Sequence, residues 1–183
     1  MSEHVEALIE RAKSGELSAA SELLSRHYAR IFAYFRRLCG SDEDAADLTQ
    51  KAFCKVWASL ARFHGRSSFN TWLHSIAHNT YVDWRRQGNR LDAQTDDWWK
   101  SCATNEPGPL ENITGQEDAR RLYGLVEQLD EEQRETIHLH YYQELTILET
   151  ADALGVATST VKYRVRQAIE LLKSRMAEPK LRA

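Results

Sequence analysis

The sequence has little of what an extracellular or membrane-spanning protein is built from. Its three cysteines, Cys39, Cys54 and Cys102, are few, scattered and odd in number, which excludes a disulfide framework. Cys39 and Cys54 fall inside apolar helical patterns, so buried free thiols are expected there. No apolar run approaches the roughly 18 residues that cross a bilayer. The N-terminal MSEHVEALIE is amphipathic and acidic instead of charged and then greasy. The expectation is a cytoplasmic protein with no direct membrane insertion. Alternating strand patterns are missing too. So are a nucleophile elbow, a phosphate-cradling glycine loop and paired catalytic carboxylates. No catalytic residue, metal ligand set or cofactor is therefore expected.

What is present is a soluble composition, 42% hydrophobic and 28% charged in 183 residues, enough for one domain or two small ones. The net charge of −3 gives no sign of a nucleic-acid partner. Its distribution says more. Residues 1–90 carry 13 Lys/Arg against 10 Asp/Glu, residues 91–115 one against five, and residues 116–183 ten against 12. Within the last segment, 158–175 holds five basic residues and one acid. A local basic face on a neutral protein can still meet phosphate.

Apolar residues recur at helical spacing nearly throughout. Val5–Ala12 is a short helix ended by Ser14-Gly15, and Leu17–Leu38 a second, stopped at Cys39-Gly40. Ser41 or Asp42 can cap a third, Asp44 to about Phe63, predicted to bury Ala45, Leu48, Ala52, Phe53, Val56, Trp57 and Leu60. His64-Gly65-Arg66-Ser67-Ser68 is a turn, with Ser67 or Ser68 capping a fourth helix from Phe69 to about Arg86. Residues 1–90 thus read as an all-α bundle. Leu91–Gly115 is acidic, contains Pro107-Gly108-Pro109 and lacks a period, so it reads as a linker. Trp98-Trp99 is unusual there, because indoles prefer a partner surface. Helical patterns resume at Gln116–Gln128 and Glu131–Tyr142.

The stretch Leu145–Leu172 organises the rest. A helix carrying Ile147, Leu148, Ala151 and Leu154 is followed by Gly155, which can turn with φ > 0. Thr158, Ser159 or Thr160 can cap a second helix that buries Val161, Val165, Ala168, Ile169 and Leu172. Other faces of that helix carry Lys162, Arg164, Arg166, Lys173 and Arg175 against Glu170 alone. A small residue at the crossing, a glycine turn and a basic amphipathic helix form the pattern of a DNA-reading helix-turn-helix.

Two longer stretches carry a family resemblance. DEDAADLTQKAFCKVWASLARFHGRSSFNTWLHSIAHNTYVDWRRQ (Asp42–Gln87) resembles region 2 of bacterial sigma factors. LDEEQRETIHLHYYQELTILETADALGVATSTVKYRVRQA (Leu129–Ala168) resembles their region 4. The order, with no region between, resembles the extracytoplasmic-function (ECF) group. The resemblance implies an all-α protein with a region 2 domain over 1–90, a linker over 91–115 and a region 4 domain over 116–183. It implies binding to core RNA polymerase, through the β′ clamp helices and the β subunit, and to promoter DNA. An anti-sigma factor is the implied regulator.

In DAADLTQ and just after it, the implied polymerase-docking residues are Asp44, Asp47, Leu48, Gln50 and Phe53. Asp44, Asp47 and Gln50 offer polar groups to a partner's Arg and Lys, although residues alone equally describe a solvated acidic face. The stretch from His64 is implied to hold the opened −10 element through His64, Gly65, Arg66, Ser67, Ser68, His74, Asn79 and Arg86. With Trp72, Tyr81 and Arg85 it interleaves rings and donors as a single strand requires, whereas Phe69, Trp72 and Trp84 fall on the apolar stripe. In region 4, Thr158, Ser159, Lys162, Tyr163, Arg166 and Gln167 are implied to meet −35 duplex, Arg suiting guanine and Gln adenine. Two departures stand out: Tyr163 replaces a frequent small serine, and Ala46 a frequent glutamate.

Rivals are weaker. His74 and His78 have zinc spacing, but Ser75 stands where a zinc protease needs Glu and no third ligand is near. A response-regulator output domain would explain the helix-turn-helix. The all-α N-terminal half, with no alternating βα pattern, argues against it.

Overall fold

The structure is a computed structural model, and it describes residues 2–87 and 116–177. The chain divides into two compact units, Met1–Gln94 and Thr95–Ala183. Among the described residues all regular structure is helical, with no strand, so the fold is all-α. The expected linker 91–115 lies outside the described residues, with Trp98-Trp99 and Cys102 in it.

Unit 1 contains α1 (Ser2–Lys13), α2 (Leu17–Cys39), α3 (Asp42–Ser59) and α4 (Phe69–Arg86), with a 3₁₀ turn at Leu60–Arg62. α2 lies at its centre, packing against α1, α3 and α4. Its buried residues Leu23, Ile31, Tyr34, Phe35 and Leu38 recur at three to four positions or multiples of that spacing, one stripe of a 3.6-residue period. The α2–α3 corner is tied twice. Ser41 Oγ accepts from the Asp44 amide at 3.3 Å, and the buried Arg36 pairs with Asp42. Three acids in the first turn of α3 suit the positive end of its dipole. Tyr81 of α4 is fully buried and donates its hydroxyl to Leu38 O at 3.3 Å, fixing α4 against α2.

Unit 2 contains α5 (Gln116–Glu127), α6 (Glu131–Ile137), α7 (Ile147–Leu154) and α8 (Thr158–Ala177). α8 is its hub, packing on α5, α6 and α7. Val126, Leu129, Ile137, Ala168 and Leu172 form the core, with Leu122, Leu125, Tyr141, Tyr142 and Leu171 against it. The expected helix over 131–142 is not uniform: after Ile137 it widens into a π turn, His138–Tyr142, with the Gln143 amide donating to His138 O at 2.9 Å. Leu139 within this turn and Leu145 just after it are both buried. Glu144 follows with φ +56, a left-handed backbone that costs a non-glycine residue roughly 1 kcal/mol. Thr146 and Glu149 then make a full capping box for α7. Gly155 ends α7 at φ +65, as expected from its place in the turn.

One expectation about this motif needs correction, and one apolar residue faces outward. α8 has begun by Thr158, and the Thr160 and Val161 amides donate to Ala157 O. Its first turn therefore closes on the Ala157 carbonyl, with Thr158–Thr160 already helical. Leu148 is 61% exposed, because Thr150, Ala151, Ala153 and Leu154 supply the inward arc of α7.

Candidate nucleic-acid interface

α3 has one inward and one outward face. Ala45, Leu48, Thr49, Ala52 and Val56 are all fully buried. Opposite them Glu43, Asp47, Gln50, Cys54 and Trp57 are exposed, at successive steps of four, three, four and three residues, which is the spacing of a straight seam along a helix. Tyr28 of α2 extends this surface, standing edge-on to the half-buried Phe53 at 6.2 Å and stacked on Phe32 at 6.0 Å. Asp47 and Gln50 thus sit on the open face, and Asp44 is half-buried at its edge. Leu48 is not on it: with 0% exposure it can hold α3 to the bundle but cannot touch a partner. Two expected core residues move outward, Trp57 at 40% exposure and Cys54 as an exposed thiol, whereas Cys39 is buried as expected. The seam was present in the spacing, but an apolar Trp and Cys on it read as core.

The His64–Ser68 turn sits over an aromatic floor. Phe63 and Phe69 are buried and perpendicular at 5.7 Å, and Trp72 lies 5.0 Å from Phe63 and 5.7 Å from Phe69. His27 closes the floor from α2, its ring 5.2 Å from Phe69. Burial, with Arg30 and Arg26 nearby, pushes its pKa down. Above the floor His64, Gly65, Arg66 and Ser68 are exposed and Ser67 is half-buried. Gly65 takes φ +68, which turns the loop sharply with open space where a Cβ would be. Ser68 caps α4, its Oγ accepting from the Thr71 amide at 3.1 Å and pairing with Thr71 Oγ1 at 2.7 Å.

Trp72, Asn79 and Arg86 are spaced by seven along α4 and, with Ser75, form a stripe leading away from the loop; Asn79 and Arg86 are fully open. Ser75 is a member of this stripe that residue chemistry alone did not suggest. His74 does not belong there. It is 0% exposed, its Nδ1 lies 2.8 Å from Asn70 O, and its ring meets Tyr34 edge-on at 5.9 Å. Tyr81 is likewise internal, so neither can contact a strand on the surface. Burial of His74 also separates it from the half-buried His78 as a metal pair. Among the described residues no three His, Cys, Asp or Glu side chains gather in a group able to hold a metal ion. Lys55 of α3 and Asp83 of α4 join at 3.0 Å, strapping the two outward surfaces together.

In unit 2, Thr158, Ser159, Lys162, Tyr163 and Arg166 are exposed on α8 and Gln167 is half-buried beside them. Two other cations of this helix, Arg164 and Arg175, have structural partners. Arg164 Nη2 lies 2.5 Å from Glu132 on α6. Arg175 donates to Gln128 Oε1 at 3.0 Å, and its carbonyl accepts from Arg121 at 2.7 Å. Arg166 lies 3.9 Å from Glu170, both well exposed, a weak pair in water. α8 is thus pinned along one side and open along the other, as a groove-reading helix must be.

The sigma-70 region 2 family matches residues 23–91, and the sigma-70 region 4 family matches residues 119–172. The ECF RNA polymerase sigma-E factor of Escherichia coli (strain K12) is 30% identical over 179 residues, covering 93% of each chain. This chain belongs to the ECF RNA polymerase sigma factors. The ECF sigma factor SigX of Bacillus subtilis (strain 168) is 28% identical over 158 residues, 84% of this chain and 81% of that one. Among solved structures, CnrH in complex with the cytosolic domain of CnrY superposes with a TM-score of 0.69 at 23% identity, covering 93% of this chain and 95% of that one. The sigma factor RpoE of Bartonella quintana, in complex with the anti-sigma factor NepR, gives 0.63 at 22% identity over 84% and 94%. These two share the fold of this sigma factor.

Proposed function

We propose that the chain is an alternative sigma factor that binds core RNA polymerase and directs it to one promoter class, with no catalytic centre of its own. Residues 1–90 dock on the β′ clamp helices through the α3 seam, centred on Asp47 and Gln50 with Asp44 and Phe53 at its margins. The His64–Ser68 loop takes an extruded −10 base over its aromatic floor, and the Trp72–Asn79–Arg86 stripe follows the strand backbone. Residues 116–183 engage the β subunit and place α8 in −35 duplex. The observation that carries this reading is the pairing of two open faces on unit 1 with one open helix on unit 2. Each has the chemistry its target needs, and none is filled by the described residues of its own unit.

Regulation by an anti-sigma factor fits the α3 face, because a chain covering Asp47, Gln50 and Trp57 excludes polymerase. The solved complex of RpoE with NepR supports this reading. Among the described residues no helix is long and apolar enough to cross a membrane, which suits a factor acting in the cytoplasm. The acidic 91–115 segment would mimic nucleic acid within the polymerase. Neutralising Asp92, Asp96 and Asp97 should then lower transcript yield without altering promoter choice, and unchanged yield refutes that role. The reading as a whole is tested by run-off transcription with core polymerase over a randomised promoter library. Promoter-specific initiation is expected. Binding to DNA without any initiation would instead identify a plain DNA-binding regulator.

A further inference from the structure

Tyr163 places an aromatic ring on the α8 outer face, and a contact of its hydroxyl with phosphate or a polar base edge would leave that ring's apolar surface unused. Five large hydrophobic side chains are strongly exposed among the described residues, and Tyr163, at 59%, is the one that lies on α8. Its surroundings are polar: Ser159 one turn before it, Arg166 one turn after it, Lys162 beside it. Helical Cβ atoms tilt toward the N-terminus, so the ring leans over the Ser159 turn, the end of α8 that enters a groove. Arg166 has Glu170 on its C-terminal side and Arg164 is drawn to α6. Neither arginine pairs with the ring.

In the major groove a base pair presents donors, acceptors and a single apolar group, the C5-methyl of thymine. Resting on the reading that α8 enters −35 duplex, we propose that Tyr163 is a specificity-determining residue whose ring face covers a thymine methyl in the −35 element. A serine at this position would leave that methyl in water. The ring supplies the contact, and the phenol hydroxyl is free to remain hydrated at the groove edge.

The test uses full-length protein bound to core polymerase. Duplexes with a randomised −35 segment are selected for binding, and each thymine of the winning element is then replaced by deoxyuridine, which removes the methyl alone. One replacement should weaken binding about fourfold, the worth of one buried methyl-sized group. That sensitivity should persist in Tyr163→Phe and disappear in Tyr163→Ser, whose own selected elements no longer demand thymine there. If no thymine is sensitive, or Tyr163→Ser keeps the same sensitivity, the proposal is overturned. The α8 reading survives that result if Lys162→Ala and a scrambled −35 element still weaken binding. If scrambling the element changes nothing, the −35 reading fails and the proposal with it.

Discussion

Replacing Gly155 by alanine isolates the cost of the turn between α7 and α8. An added Cβ at Gly155 has nothing within 4 Å to strike, so collision with neighbours contributes nothing. What remains is the backbone. At φ +65 an alanine Cβ crowds the following carbonyl, which costs roughly 1–2 kcal/mol. Gly124 is the internal control. It also has open space, but it lies within α5 at ordinary helical dihedrals, so alanine there gains about 1 kcal/mol. The same chemical change thus has opposite signs at two sites of one unit. Tryptophan emission from within the helices of unit 2 cannot report it, because all five tryptophans precede residue 116. Exchange of the buried Ala168 and Leu172 amides can. With tenfold per 1.4 kcal/mol, Gly155→Ala should speed their exchange roughly fivefold to thirtyfold, and Gly124→Ala should slow it about fivefold. Unchanged or slower exchange in Gly155→Ala would refute the claim that φ alone sets the cost.

Neighbouring residues on α3 should separate function from stability. Asp47→Lys should abolish core-polymerase binding with little change in melting, whereas Leu48→Ala should cost unit 1 about 2–5 kcal/mol by leaving a cavity, measured by denaturation and by binding on the same samples. In a Cys102→Ser background, a thiol reagent should label Cys54 quickly and Cys39 slowly, since burial pushes the Cys39 thiol pKa up. Bound polymerase should protect Cys54, and undiminished labelling in the complex would place the docking surface elsewhere. Arg11, and then Ser18, hold the Glu16 carboxyl at about 2 against an ordinary 4.5. A lowered folded pKa means that this stabilisation is present above about pH 4.5 and fades as pH falls toward 2. Glu16→Gln should therefore flatten the acid limb of the stability curve in that window. An unchanged limb would show that the pair does not persist in solution.

The helices were legible because their signals agree. The stripe of α2, the glycine after it, the Ser41 cap and the acids of α3 all point to the same corner. What periodicity conveys less well is which arc of a helix is buried. On α3 the inward arc is taken by Ala45, Thr49 and Ala52 beside Leu48 and Val56, so small residues displaced Trp57 from the expected core. On α7 Thr150 is likewise buried while the apolar Leu148 is exposed. His74 and Tyr81 misled in the opposite direction. Their chemistry suits a DNA surface, yet each can satisfy a polar atom on nearby backbone, Asn70 O or Leu38 O, and so can be buried. The π turn had no sequence signal that periodicity detects, because one residue added to a turn leaves the apolar spacing on either side nearly unchanged.

The asymmetry of α3 bears on how such a factor changes allegiance. Its inner arc, set closely on alanines and a threonine, tolerates almost no change of volume. The outer residues Asp47, Gln50 and Cys54 are exposed, so most exchanges there alter stability by about 0.5 kcal/mol or less. Mutation can therefore rewrite the outer seam freely while the inner arc keeps the helix in place. A lineage can drift from one regulator to another without passing through an unfolded intermediate sequence. On the proposed docking, shared use of the seam by polymerase is what restrains it.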